Sequence, residues 1–432
     1  MLDKFFNLIE KLIPKKWRWI LNHGGFRRYL TNTGWMVFGN IFSLILSFLV
    51  GAWVIRYLGP EEYGILSYVL AFVGIFAFIA SLGITSILQR ELVNHPEKRD
   101  SILGTAFILR LGGGALAFLI SVFIIFLLES STLIKLLVLI QAFSLIFYSS
   151  EVITLFFASR VESKKSVQAS ILSGTISSLL KVILILSGAG IIWMMVVFVL
   201  DGFWLSVFLF LAYKRSGLKI RDWRFNKPLA KSILSSSWLL ALTSASVLIY
   251  MRIDQVMIKR MIDAEAVGLY ASSVKIFEFT YIIPSLITFS LFPAILNALK
   301  VSYTAYRRRL RHMVALLSIL SILVAGTITI LSKPIILILF GPDYLESLNV
   351  LRIGVWSLLA VSLSYLVDKS LVAENRIKFY FIITLLGAIV NVVLNYLLIP
   401  IYGINGAAVS TIISYSLVAV LGLGVKKRKL AN

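Results

Sequence analysis

The sequence predicts an all-α integral membrane protein of about twelve transmembrane helices, arranged as two six-helix lobes around a central cleft. Three observations carry that expectation. Long apolar stretches alternate with loops, Lys and Arg crowd into every second loop, and a short motif recurs halfway along the chain at the same topological place. Hydrophobic residues are 59% of the 432 and only 14% are charged, where a soluble domain carries roughly a quarter. Mean hydropathy is +0.93.

The elements follow in order. Residues 1–32 form a basic arm. Phe5, Leu8, Ile9, Leu12 and Ile13 keep helical spacing with Lys4, Lys11 and Lys15 interleaved, and Trp17 and Trp19 follow. That is the pattern of an amphipathic helix on a membrane surface, with a frayed basic tail as the alternative. A span needs about 20 apolar residues. Such stretches fall at 33–56, 63–89, 102–128, 133–158, 167–187 and 190–213, the first lobe (33–213). A basic linker occupies 214–231. The second lobe (232–425) takes 232–258, 267–299, 312–339, 347–373, 377–399 and 404–425, and residues 426–432 form a basic tail. Pro284 and Pro293 predict a kinked eighth span. Gly112, Gly113 and Gly114 inside the third predict close helix packing or a bend. Asn391 and Asn395, four apart, predict an interhelical hydrogen bond or a place on the cleft wall.

Charge sets the orientation. Of 42 Lys and Arg, 31 lie in the N-terminal arm, the even-numbered loops and the C-terminal tail, and five lie in the odd-numbered loops. Cytoplasmic loops collect Lys and Arg, so both termini are expected in the cytoplasm and the span count is expected to be even, in the plasma membrane. The same rule accounts for the net charge of +22, so no nucleic-acid partner is expected. The chain has no cysteine, which excludes disulfides, thiolate metal sites and Cys nucleophiles. Its histidines, His23, His95 and His312, sit outside or at the edge of spans and form no ligand pair. No G-x-S-x-G turn or Walker loop occurs. No cofactor, metal or enzymatic activity is expected. A membrane polymerase or glycosyltransferase would show a loop domain or clustered catalytic carboxylates, and neither is present.

Arg56-Tyr-Leu-Gly-Pro-Glu61-Glu-Tyr-Gly64 aligns without gaps to Arg260-Met-Ile-Asp-Ala-Glu265-Ala-Val-Gly268, with Arg, Glu and Gly coinciding at an offset of 204 residues. An offset of six spans gives parallel repeats related by an axis along the membrane normal. Two such lobes suit alternating access.

The segment Arg56–Leu66 resembles the turn after the first helix of polysaccharide flippases in the multidrug/oligosaccharidyl-lipid/polysaccharide (MOP) superfamily. Arg252-Ile-Asp254-Gln255 with Glu265–Tyr270 resembles their seventh helix and outer turn, and Pro400–Ala408 the turn between their last two helices. The resemblance, to the Wzx-type branch, implies a flippase for polyprenyl-diphosphate-linked oligosaccharide that works as a monomer among membrane lipids. Drug and cation antiporters share the fold, so fold alone does not choose the cargo. A scramblase needing no gradient is a further alternative.

Intramembrane charge is costly unless it faces a cavity or a partner. Arg110, Lys181, Arg252, Lys275 and Lys369 are therefore candidate contacts for a diphosphate head group, since Arg and Lys match phosphate oxygens. Asp201, Asp254 and Glu278 are candidates for coupling to H⁺ or Na⁺, or for balancing those cations. The bland reading is mutual neutralisation among these residues, with Glu151 and Asp368. Lys275 and Glu278, three apart, can meet on one helix face.

Overall fold

In the computed structural model, residues 24–374 and 376–424 are described. Most of the predicted amphipathic arm and the basic tail 426–432 lie outside them. The chain runs through α1 (Gly24–Ile75), α2 (Ala77–Ser81), α3 (Thr85–Asn94), α4 (Arg99–Leu128), α5 (Thr132–Ala142), α6 (Ser144–Phe147) and α7 (Glu151–Ser159). It continues through α8 (Lys164–Leu186), α9 (Ile191–Arg215), α10 (Lys227–Met261), α11 (Ala264–Thr280) and α12 (Ile282–Val301). It ends with α13 (Tyr303–Leu339), α14 (Leu348–Gly354), α15 (Ser357–Ala373), α16 (Ile377–Tyr402) and α17 (Ile404–Leu423). No strand occurs among the described residues.

Ten of these helices or helix runs are long and apolar enough to cross a membrane, and a pair bent by 48° around Val355–Trp356 makes an eleventh. The 45-residue stretch Thr31–Ile75 counts once in that total, yet at 1.5 Å per residue it is about twice the hydrocarbon thickness. Gly59 interrupts it with φ 70°, ψ 174°. A positive φ costs little only for glycine, and Pro60 begins the next helix with its φ preset. The stretch thus holds the first predicted span and the start of the second. The rest of the second span is broken: α2 stops at Ser81, Leu82 and Gly83 both have positive φ, and α3 begins at Thr85.

The predicted kink in the eighth span falls at Tyr281, between α11 and α12. Pro284 explains it, because a proline ring collides with the carbonyl four residues back, here Thr280. The helix continues without interruption through position 293. The glycines in α4 act through close packing, since a Cβ on Gly113 or Gly114 would overlap the carbonyl of Ile79 or Leu145.

The repeat is visible as contacts. Gly59 and Asp263, 204 residues apart, both end one helix and start another. A Cβ on Gly64 would overlap the carbonyl of Ala264, and a Cβ on Gly268 would overlap the carbonyl of Pro60. Those four residues are two repeat-related pairs, so the lobes clasp each other through one contact made twice. Around it, Tyr344 Oη donates to the Ile55 carbonyl at 2.7 Å, and Arg260 donates to the Leu128 carbonyl at the end of α4.

The apolar cores define the cleft. At the end away from the basic loops, one buried cluster joins both lobes, from Ala52–Val73 of α1 through Ala266–Tyr281 to Ile399–Ala408. At the basic end the clusters separate. One holds Ile84–Ala106, Val152–Ala169 and Tyr213 of the first lobe, with Ile233 from the start of α10. The second lobe has its own around Ile295–Leu317 and around Leu371, Ile383 and Val418. Shared burial seals one end; at the other, among the described residues, the lobes touch through α10, where a Cβ on Gly83 would overlap the Ala241 backbone. The linker after α9 is pinned to the first lobe, with Arg224 N donating to the Asp100 carbonyl at 3.2 Å and Asn226 N to Thr105 Oγ1 at 3.0 Å.

Candidate functional site

Three cavities adjoin along the cleft. The first, about 480 Å³, lies between α1, α7, α8 and α9 and is lined by Asn40, Tyr148, Glu151, Thr154 and Ser170. The second, about 310 Å³, holds Ser47, Ser173, Lys181, Asp201 and Lys275. The third, about 400 Å³, lies between the lobes and holds Tyr63, Gln141, Arg252, Gln255, Lys275 and Glu278. Ser170 and Gly202 are common to the first two, Tyr148 to the first and third, and Lys275 to the second and third.

The predicted cations behave differently from one another. Arg110 is fully buried (0%), donates to the Tyr148 carbonyl at 3.3 Å and to Thr85 Oγ1 at 2.8 Å, and pairs with Glu151. It does not face the cleft. Lys181 pairs with Asp201 at 2.8 Å and lies 4.2 Å from the centre of the Phe198 ring. In both pairs the acid is the exposed partner: Glu151 is 45% exposed against 0% for Arg110, and Asp201 40% against 13% for Lys181. The first lobe therefore exposes Glu151 with Arg110 buried behind it, while Lys181 and Asp201 line the second cavity together. The buried Arg110 holds Glu151 in place, because an unpaired buried charge is costly.

The second lobe differs. Arg252 pairs with Glu278 at 3.3 Å, and both are about equally exposed. Glu278 thus meets Arg252 of α10, and the Lys275–Glu278 pair allowed by helical spacing is not formed. Lys275 has no hydrogen bond or ion pair among the described residues. Its side chain crosses to the first lobe over Gly51, where a Cβ would stand 3.3 Å from its Nζ. A glycine there leaves room for the ammonium. Lys369 is half exposed, pairs with its neighbour Asp368 at 3.3 Å, and lines none of the three cavities.

Asp254 sits elsewhere. It is buried among α10, α11, α16 and α17 and accepts from Tyr270 Oη at 2.6 Å, Thr411 Oγ1 at 2.6 Å and Asn395 Nδ2 at 2.7 Å. No cation pairs with it among the described residues. The Asn395–Asp254 bond is the interhelical role expected of these asparagines, and within α16 Asn395 also donates to Asn391 Oδ1 at 3.2 Å. Asn395 Oδ1 and Asn391 Nδ2 are left buried without partners. A fully donor-held carboxylate beside an idle amide oxygen offers oxygen ligands to a small hard cation.

Sequence reading missed the hydroxyl and amide wall. Its signal was available: Asn40, Ser43, Ser47 and Gly51 fall on one face of α1, and Ser166, Ser170, Ser173 and Lys181 on one face of α8. Polar residues three and four apart in an apolar span mark a stripe turned from lipid.

Residues 29–299 match the family described as Polysaccharide biosynthesis protein, and residues 240–397 match MatE. No curated protein matches. Among solved structures, the chain resembles an inward-facing multidrug resistance MATE family transporter of the MOP superfamily at TM-score 0.70 and 16% identity, covering 88% of this chain and 93% of that one. Lipid II flippase MurJ in an inward closed conformation matches at TM-score 0.68 and 16% identity, over 91% and 87%. A MOP superfamily transporter from Pyrococcus furiosus Vc1 (DSM3638), whose binding pocket is described as reversed in polarity, matches at 0.60 and 14%, over 92% of each chain. These likenesses establish the MOP transporter fold.

Proposed function

Because the chain belongs to the polysaccharide biosynthesis protein family, matched over residues 29–299, we propose that it is a flippase that carries a polyprenyl-diphosphate-linked saccharide across the plasma membrane by alternating access. The basic end is cytoplasmic on this reading, so the structure is the state that takes up cargo from inside. The observation that carries the reading is Lys275, a cation with no ion pair among the described residues, at the junction of two cavities, with Arg252 beside it in the third. Bare phosphates do not cross a low-dielectric core without counter-charge. Lys275 supplies a point charge, and Arg252 a planar fork once Glu278 yields to phosphate. The polyprenyl chain stays in lipid while the head group crosses. Everything needed lies within one chain, which fits a monomer and involves no covalent chemistry.

Asp254 is the proposed coupling site, for Na⁺ or H⁺. Four helices of the second lobe meet at this carboxyl, so its occupancy by a cation changes the charge at a helix junction rather than at a surface. Asp254→Asn keeps the hydrogen-bonding size and removes the charge. The expected result is wild-type flipping that speeds about tenfold under an inward Na⁺ or H⁺ gradient, a factor worth about 1.4 kcal/mol. The Asp254→Asn variant, matched for folded amount, is expected to be indifferent to the gradient. A gradient response that survives the substitution would remove Asp254 from the mechanism.

A second reading, an antiporter for cationic drugs, draws on the MatE match and on the carboxylates that Glu151 and Asp201 expose. It predicts gradient-driven efflux of organic cations and no movement of lipid-linked saccharide.

A further inference from the structure

The two walls of the cleft are chemically unlike, and that difference bears on how a bipolar cargo is held. Resting on the flippase reading above, we propose that the cavity of about 480 Å³ in the first lobe is a saccharide subsite, and that it takes uncharged sugar residues. Its volume is in the range of small-molecule sites. Asn40, Thr154 and Ser170 line it, and none of their side chains has a hydrogen-bond partner among the described residues. Glu151 lines it too, with Oε2 held by Arg110 from behind. The other carboxylate oxygen is a fixed acceptor.

These groups match a neutral sugar. Glu151 accepts from sugar hydroxyls, the Asn40 amide both donates and accepts, and the Thr154 and Ser170 hydroxyls do either. The Tyr148 ring, shared with the cavity that holds Lys275 and Arg252, offers an apolar face to the C–H side of a pyranose at the boundary between the two subsites. The same wall disfavours anions. A uronic acid or a phosphate placed there meets the Glu151 carboxylate first, because the neutralising guanidinium is buried behind it. Like charges at such distances repel strongly in a poorly hydrated cleft. Phosphates are thereby directed to the second lobe and neutral sugars to the first, and the linkage between them spans the lobes.

The test is flipping in proteoliposomes of two fluorescent cargoes on one polyprenyl-diphosphate carrier. One bears a neutral disaccharide and the other a disaccharide containing a uronic acid. Wild type is expected to move the neutral cargo at least about tenfold faster. Asn40→Leu with Thr154→Val leaves every charge in place, and is expected to slow the neutral cargo about tenfold or more. Glu151→Gln keeps an acceptor for Arg110, and is expected to bring the two rates within about twofold. If Glu151→Gln does not fold, the Asn40/Thr154 variant still decides. Equal wild-type rates for both cargoes, or an undiminished rate in the Asn40/Thr154 variant, would overturn the saccharide subsite while leaving the flippase standing. Folded wild type that moves neither cargo would overturn the flippase reading and the subsite with it.

Discussion

Gly64→Val is expected to prop the clasped end open and reduce transport far more than any surface change. Even a methyl at this position overlaps the Ala264 carbonyl, and the contact is backbone on both sides, so no flexible side chain can move away. Overpacking costs about 1–3 kcal/mol. That shifts the balance between the two cleft states about 5–150-fold. The helix itself does not suffer, since valine is a better helix residue than glycine. The cause of the loss is therefore the clasp. A chain without cysteine takes spin labels cleanly at Glu61→Cys and Glu265→Cys, both exposed beside the clasp. The label distance is expected to lengthen in the Gly64→Val background and to stay unchanged in Gly326→Val, where added carbon meets nothing. Gly268→Val should reproduce Gly64→Val, because the contact is the same one made by the other repeat. A short distance in both clasp variants would mean that the lobes close by another route.

Lys275→Ala is expected to lower flipping of a lipid-linked saccharide by roughly 10–150-fold at limiting cargo. A hydrogen bond to a charged group contributes about 1.5–3 kcal/mol, and each 1.36 kcal/mol is tenfold in rate. Lys275→Arg keeps the charge but must fit its larger head over Gly51, so partial activity is expected. Lys369→Ala is the informative control. Lys369 is also a candidate by sequence, yet it pairs with Asp368 away from the three cavities, and its loss is expected to change the rate less than about twofold. Equal damage from both substitutions would mean that general positive charge, rather than a site at Lys275, moves the cargo.

Those contrasts show what the sequence made legible. Span positions, the repeat and its offset follow from hydropathy and from the Arg, Glu and Gly shared by the two turns, and the structure turns that offset into the reciprocal Gly64/Gly268 contact. The break at Gly59 was readable from Gly-Pro. The break at Leu82–Gly83 was not, because an apolar stretch through it satisfies the length of a span. The site was legible in inventory but not in depth. Composition names Arg110 and Lys181 as intramembrane cations, but whether cation or acid faces the cleft depends on which helix lies behind, and helical spacing carries no such information. Arg252 pairs with Glu278 across two helices, overriding the local Lys275–Glu278 option, and that override is what frees Lys275. The hydroxyl stripes on α1 and α8 were readable, being polar residues at helical spacing in apolar spans.

The most direct measurement is transport of a fluorescent polyprenyl-diphosphate saccharide into the lumen of proteoliposomes, with wild type and Lys275→Ala at matched folded protein. The cleft predicts wild-type flipping well above protein-free vesicles and at least a tenfold loss on Lys275→Ala. Folded wild type that fails to move this cargo under any Na⁺ or H⁺ gradient, while expelling an organic cation, would contradict the flippase reading and establish the antiporter.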